Sequence, residues 1–129
     1  MKIKNEDKNK AADLALWKKK PAKHDYPAAM DYLELLFCKK KVKFILNKLK
    51  KASIISKKAK DILRASKLPL LDISNIHVSD NIKKCKNGEK LSPVLLVRTK
   101  NGLVIADGYH RVCAIYCLSE DLNIPCKLV

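Results

Sequence analysis

The chain of 129 residues contains little glycine, few acidic residues and no long apolar segment. Three glycines are too few for a low-complexity or loop-dominated chain. No apolar run approaches the roughly 20 residues that cross a bilayer. Residues 1–10 lack the apolar core that follows the charges of a secretory signal. We therefore expect a cytoplasmic protein without a membrane span.

Cysteine pairs of the C-x-x-C type are also missing from the sequence. The five cysteines are an odd number, which in a cytoplasmic chain predicts reduced thiols rather than a disulfide framework. Cys113 and Cys117 have a spacing that can bind metal from one helix face, but a structural zinc site needs two further ligands. Cys126 and His110 are the only other candidates, and nothing in the sequence demands them. We expect buried thiols and predict no metal site.

The positive charge is unevenly distributed along the chain. Residues 1–67 hold 20 lysines and arginines against 7 acidic residues, whereas residues 68–129 hold 8 against 6. This asymmetry indicates a basic surface for an anionic partner, with nucleic acid the expected one in the cytoplasm. A compositional bias toward lysine explains the same numbers, since lysine supplies charge but little recognition geometry. Both interpretations stay open.

The first half of the chain predicts an arm followed by helices. Residues 1–24 are polar and lysine-rich, as in a mobile basic arm. The arm contains Trp17, which either docks on the body or stacks on a base. Residues 25–67 predict a helical region packed on the core. Its first helix is expected from Pro27 or Ala28 to about Phe37, with Asp25 as the N-cap.

The segment from Lys40 to Lys51 predicts an amphipathic basic helix. Lysines and Phe44 cover the face opposite an apolar stripe, which consists of Val42, Ile45, Leu46 and Leu49. Such a helix can lie on nucleic acid, or it can pack its stripe on a neighbour while the lysines stay solvated. A third helix is expected over residues 57–66, with Ser56 as its N-cap. The residues expected to face inward from it are Ala59, Ile62 and Leu63.

Residues 68–129 predict a mixed α+β unit. Short extended pieces are expected at residues 71–73 and 76–78, followed by a helix that Ser79-Asp80 caps and Asn87-Gly88 ends. The later elements are a strand over residues 94–98, a hairpin turn at Asn101-Gly102, a strand over 103–106, a helix from Tyr109 to about Ser119 and a strand over 124–129. The fold class is therefore α+β, with residues 25–129 forming one compact domain.

The turn at Asp107-Gly108 is the best candidate for a functional site. Gly108 takes a positive φ without steric cost, and the next three residues then occupy the first turn of a helix. A helix start attracts anions, and His110 and Arg111 add donors to it. The turn therefore predicts a phosphate site that involves Gly108, Tyr109, His110 and Arg111. In the alternative, Arg111 pairs with Asp107 and His110 merely packs.

The stretch DGYHRVCA, from Asp107 to Ala114, resembles the G-[E/C]-[R/H]-R-x-x-A element shared by the ParB N-terminal domain and sulfiredoxin. The segment from Ile82 to Val97 and the ending at residues 124–129 are similar to these families as well. The resemblance covers roughly residues 68–129. It implies a ParB/sulfiredoxin-like unit preceded by the lysine-rich helical region. It also implies that the turn contacts the phosphates of ATP or CTP, with Mg²⁺, and that Lys83 and Lys84 line the same pocket.

The chain departs from both families at Tyr109. Sulfiredoxin has its reactive cysteine there, and tyrosine cannot form the sulfur-linked intermediate, so we expect no sulfinic acid reduction. ParB has a glutamate there, whose loss weakens a hydrolase or kinase assignment. We predict a nucleotide-phosphate-binding domain with a basic surface for nucleic acid or an acidic partner. One alternative is a magnesium-dependent nucleotide hydrolase or phosphotransferase that uses Asp107. The other is a plain DNA-binding accessory protein.

Overall fold

A four-stranded mixed sheet forms the centre of the structure, a computed structural model that describes residues 13–129. The described helices and strands, in chain order, are α1 (Asp25–Leu33), α2 (Lys39–Lys51), β1 (Ile55–Lys58), α3 (Ala59–Ser66), α4 (Ile76–Lys86), β2 (Val94–Thr99), β3 (Gly102–Asp107), α5 (Tyr109–Leu118) and β4 (Asn123–Leu128). The strand order is β1-β4-β2-β3. Strand β4 is antiparallel to β1 and parallel to β2, and β2 and β3 form an antiparallel hairpin. The predicted α+β class is confirmed.

Helices cover both faces of the sheet, which explains the unbroken apolar run in β2. Val94 and Leu96 belong to the cluster that contains α3, α4 and α5. Leu95 and Val97 belong to the cluster that contains α1 and α2. Successive strand residues point to opposite faces, so a strand that is covered on both sides is apolar at every position. The sheet is therefore the middle of three layers.

Helix α2 has the predicted apolar stripe and begins one residue earlier than expected. The four stripe residues are all buried, and the seven lysines of the helix are all exposed. At the end of the helix, the Lys127 ammonium donates a hydrogen bond of 2.9 Å to the Lys50 carbonyl, where a cation complements the helix dipole. No helix within residues 13–129 is both long and apolar enough to cross a bilayer.

Helix α1 differs from the prediction at both ends. It begins at Asp25 and ends at Leu33, because a tighter turn follows in which the Leu36 N–H bonds to the Leu33 carbonyl. Asp25 was expected to cap the helix, but His24 occupies the N-cap position and supplies no side-chain bond. The Asp25 carboxylate instead accepts a hydrogen bond of 2.9 Å from the Ala22 N–H. Another partner of this carboxylate, Arg111, lies far away in the sequence.

Strand β1 was not predicted. Residues 57 and 58 were assigned to a helix capped by Ser56, but they pair with the edge of β4, where Ser56 lies opposite Pro125. The backbone groups of this segment are thus satisfied by a strand that is distant in sequence, and α3 begins only at Ala59. The three residues expected to face inward from α3 are buried. Because β1 pairs with β4, the predicted helical region and the α+β unit contribute strands to one sheet.

Helix α4 begins at Ile76, ahead of the predicted cap at Ser79-Asp80. The side chain of Asn75 accepts hydrogen bonds from the N–H groups of His77 and Val78, at 3.0 and 3.2 Å. This cap makes residues 76–78 helical, so the expected extended piece there is wrong. The predicted end of the helix is confirmed, since Gly88 has φ 78° directly after it.

The predicted mobile arm is wrong from Asp13 to Trp17, and residues 1–12 lie outside the described part of the chain. The Asp13 carboxylate accepts two hydrogen bonds of 2.9 Å from Asn123, one from its backbone and one from its side chain. Trp17 is buried and pairs with Leu91. Of the two alternatives for Trp17, docking on the body is confirmed. A large apolar ring stabilises this contact by leaving water.

Candidate functional site

The turn between β3 and α5 has the backbone geometry that the sequence predicts. Gly108 has φ 110°, in a backbone region that residues other than glycine rarely adopt. A Cβ added to Gly108 would overlap the Val94 side chain of β2 and would lie 2.8 Å from the Arg111 guanidinium. Glycine is therefore required twice, for the conformation and for the close approach of the turn to the central strand.

The start of α5 leaves three backbone donors without partners. The first backbone bond of the helix runs from the Val112 N–H to the Gly108 carbonyl, at 3.0 Å. The N–H groups of Tyr109, His110 and Arg111 have no acceptor among residues 13–129, and no side chain caps this end. These donors coincide with the positive end of the helix dipole. The backbone here is suited to an anion.

A pocket of about 420 Å³ opens at this helix start. The β3–α5 turn, the beginning of α1 and the first turns of α4 form its wall. The lining residues are His24, Asp25, His77, Asn81, Asp107, Gly108, Tyr109, His110 and Arg111. The five residues predicted from the turn are thus brought together. Lys83 and Lys84 are exposed on α4 and do not line this pocket.

All three histidines of the chain line this one pocket. The rings of His77 and His110 have centroids 4.9 Å apart, and the Tyr109 ring lies 5.6 Å from His110. His24 stands at the rim, where its side chain is 86% exposed. The sequence places these histidines on three separate segments, so only the fold makes them neighbours.

Arg111 lies beneath the pocket in an ion cluster. Its guanidinium is 2.7 Å from Oδ2 of Asp107 and 3.7 Å from Oδ2 of Asp25, and it donates a hydrogen bond to the Ser92 hydroxyl. The side chains of Arg111 and Asp25 are only 13% and 3% exposed. The pairing with Asp107 is the alternative that the sequence left open. Both terminal nitrogens of Arg111 donate a hydrogen bond within the protein, to Ser92 and to Asp107, so part of the donor capacity of the guanidinium is already used.

The ion cluster has two carboxylates for one guanidinium, and this imbalance affects Asp107. Burial raises the pKa of Asp107 above its ordinary value of 3.8. The Arg111 guanidinium opposes this shift, while the neighbouring Asp25 carboxylate adds to it. A salt bridge of 2.7 Å usually lowers a carboxyl pKa, but desolvation beside a second carboxylate outweighs it here. Asp107 therefore takes up a proton more readily than an exposed aspartate.

Two groups at the mouth of the pocket, His110 and Tyr109, favour their neutral forms. Burial, together with the nearby His77, lowers the pKa of His110 below 6.5. Burial raises the pKa of the Tyr109 phenol, whose hydroxyl donates a hydrogen bond to the Pro69 carbonyl. A neutral His110 is still a hydrogen-bond donor, and an anion beside it would favour its cationic form.

The sequence missed four of the lining residues: His24, Asp25, His77 and Asn81. His77 and Asn81 are four residues apart on α4, which places them on one helix face. The helix-capping pattern at Asn75 was the signal that could have found them. Asp25 was interpreted as a local cap, and no local signal indicates that its partner is Arg111.

The described residues contain no group of three or more histidine, cysteine or acidic side chains placed to hold a metal ion. Cys113 and Cys126 are fully buried, as expected for thiols in the core. Desolvation raises the pKa of Cys126 to about 11. Asp25 and Asp107 could in principle bind a divalent cation, but the guanidinium of Arg111 already neutralises part of their charge.

The chain was compared with protein-family models, with curated proteins and with solved structures, and none of these matches it.

Proposed function

We propose that this protein binds the phosphate groups of a nucleotide in the pocket at the start of α5. The observation that carries the proposal is that all three histidines line the pocket at the N–H groups of Tyr109, His110 and Arg111, which have no acceptor within residues 13–129. Backbone donors at a helix start and imidazoles are groups that hold phosphate oxygens. The resemblance of residues 107–114 to the phosphate-contacting turn of ParB and sulfiredoxin supports a nucleoside triphosphate such as ATP or CTP.

The residues in the pocket have different tasks in this proposal. His110 and His77 contact the phosphates, and the approaching anion favours the cationic form of His110. Arg111 holds the turn in place by bonding Asp107 and Ser92, and it offsets the charge of the buried carboxylates. A raised pKa of Asp107 reduces the negative charge beneath the phosphates. Arg111 is thus a positioning residue here, rather than the phosphate grip that the sequence suggests.

Binding has more structural support than turnover. The magnesium-dependent hydrolase or phosphotransferase depends on Asp107, whose carboxylate Arg111 already holds at 2.7 Å. A divalent ion at that carboxylate would have to compete with a partly buried guanidinium. We therefore propose a binding function for this pocket.

We further propose that the basic first half of the chain contacts a polyanion, with nucleic acid favoured over an acidic protein. Helix α2 supports this, because its solvent-facing side carries seven exposed lysines and the helix contains no acidic residue. Lysines at this density attract phosphate backbones without sequence specificity.

A thermal-shift titration with ATP, CTP, GTP and ADP, each with and without Mg²⁺, tests the pocket. A ligand that binds only the native state raises its apparent stability. We expect a shift with at least one nucleotide that is lost in the double variant His77→Ala/His110→Ala. The matched control is Lys83→Ala/Lys84→Ala, which removes two exposed cationic side chains of α4 that do not line the pocket and should keep the shift. The absence of a shift with every nucleotide would refute the proposal.

A further inference from the structure

A second concave surface lies on the opposite side of the sheet from α5, between α2 and the tip of the β2–β3 hairpin. This groove has a volume of about 430 Å³. Four basic side chains and two aromatic rings define it: Lys41, Lys48, Arg98, Lys100, Phe37 and Phe44. Among the described residues that line the groove, none has an acidic side chain. Its chemistry is therefore cationic and aromatic.

The aromatic rings of the groove lie next to lysines at close range. The Lys48 ammonium is 4.7 Å from the centroid of the Phe44 ring, and the Lys41 ammonium is 4.6 Å from that of Phe37. Phe44 is 60% exposed, although every other apolar residue of α2 is buried. The Phe44 ring therefore lies at the surface of the groove beside cationic side chains, where a ligand can reach it.

We infer that this groove binds single-stranded nucleic acid. Bases stack on Phe44 and Phe37, while Lys41, Lys48, Arg98 and Lys100 neutralise the phosphates that flank them. A positively charged groove combined with aromatic stacking surfaces is the general solution for strands without base pairs. The inference rests on the proposed polyanion contact of the basic half and is independent of the nucleotide pocket.

The groove fits a single strand better than the other polyanionic partners. A duplex keeps its base faces inside its own stack, so it offers nothing to an exposed phenylalanine. An acidic peptide uses the charges but not the rings. A lipid surface needs an apolar helix face turned outward, and the apolar stripe of α2 is buried against the sheet. Only an unpaired strand uses both the cations and the rings.

Fluorescence anisotropy with a labelled oligothymidylate of about 15 nucleotides tests the inference. The groove variant Lys48→Gln/Arg98→Gln/Lys100→Gln removes three cationic charges from the groove. The control variant Lys18→Gln/Lys19→Gln/Lys90→Gln removes three exposed cationic charges outside it. Both variants lower the net charge equally, so any difference between them reports position. The aromatic contribution is tested by Phe44→Leu, with Phe44→Trp as the variant that keeps a stacking surface.

We expect the groove variant to bind at least about tenfold more weakly than the control variant. The negative slope of log affinity against log salt concentration should become smaller in magnitude by about 2. Phe44→Leu should weaken binding by roughly tenfold, and Phe44→Trp should preserve it. Equal weakening by the two charge variants would overturn the inference in favour of general attraction. Equal competition by an unlabelled duplex, or by polyglutamate, would also overturn it.

The proposals for the nucleotide pocket and for the groove can be refuted independently of each other. The His77→Ala/His110→Ala variant should bind the oligothymidylate as tightly as the unaltered protein does, because neither histidine lines the groove. A parallel loss of oligonucleotide binding in that variant would place the strand at the pocket and would contradict the groove.

Discussion

The guanidinium of Arg111 lies 3.7 Å from the carboxylate of Asp25, and this contact joins the beginning of α1 to the beginning of α5. Asp25 is almost completely buried, and its other oxygen is 3.4 Å from the His24 ring. The floor of the pocket is therefore a structural ion cluster formed by segments from both halves of the chain.

Arg111→Ala should destabilise the protein by about 3–5 kcal/mol, because it leaves the buried Asp25 and Asp107 without their shared cation. Urea unfolding measures the change. The matched control is Arg64→Ala, since Arg64 is 87% exposed and pairs loosely with Asp61 at 3.7 Å. That variant should stay within about 0.5 kcal/mol of the parent protein. A small effect of Arg111→Ala would contradict the structural role and would revive the simple phosphate-gripping role.

Gly108→Ala should cost at least about 2 kcal/mol of folding free energy, since strain at positive φ adds to the overlap with Val94. Gly88→Ala provides the comparison. Gly88 also has a positive φ, of 78°, but a Cβ there meets nothing within 4 Å. Gly88→Ala should therefore cost only about 1 kcal/mol of folding free energy, which is the conformational contribution alone. Similar costs at both positions would show that the Val94 contact relaxes easily.

A fall in pH should lower the free energy of unfolding of the nucleotide-free protein through His110. The pKa of His110 is 6.5 in the unfolded chain and lower in the folded protein. At a pH between the folded pKa and 6.5, the unfolded chain therefore binds more protons than the folded one. The stability that the neutral ring contributes is complete above 6.5 and is lost as the pH falls through the folded pKa. Asp107 acts in the opposite sense. Its pKa is raised in the folded state, so it contributes stability below pH 3.8, and this contribution is lost as the pH rises through the raised folded pKa.

Urea titrations from about pH 7.5 to about pH 5.5 test the His110 effect. The loss of stability over this range should be smaller in His110→Gln, which keeps a donor but does not titrate. A bound nucleotide should reduce the loss, because phosphate favours the cationic imidazole. An unchanged pH dependence in His110→Gln would assign the effect to other groups.

Alkylation of the native protein at about pH 8 should modify Cys38 and spare Cys126. Cys38 is exposed, whereas Cys126 is fully buried with its pKa raised to about 11. Cys113 is also buried, and desolvation raises the pKa of its thiol. Iodoacetamide labelling followed by mass spectrometry distinguishes these sites, and all five cysteines should react in urea. Rapid native labelling at Cys126 would be inconsistent with the packing of β4.

Several features were predicted correctly because they depend on neighbouring residues. The stripe of α2 follows the period of the helix, and the hairpin at Asn101-Gly102 follows from turn chemistry. The positive φ of Gly108 needed only the strand before it and the helix after it. Five of the residues that line the pocket come from this one local stretch, residues 107–111, so they were also within reach of the sequence.

The remaining features depend on contacts between distant segments. Residues 57 and 58 belong to strand β1 because the edge of β4 was available to pair with them, although the sequence predicts a helix there. Asp25 was predicted to cap a helix, but in the structure it is an ion-pair partner of Arg111. The three histidines, which are distant in the sequence, line one pocket. The sequence by itself determined the fold class, the central hairpin and the glycine turn, since periodicity and steric limits act locally. Only the tertiary structure decided which charges share the buried cluster, because that depends on which segments come together.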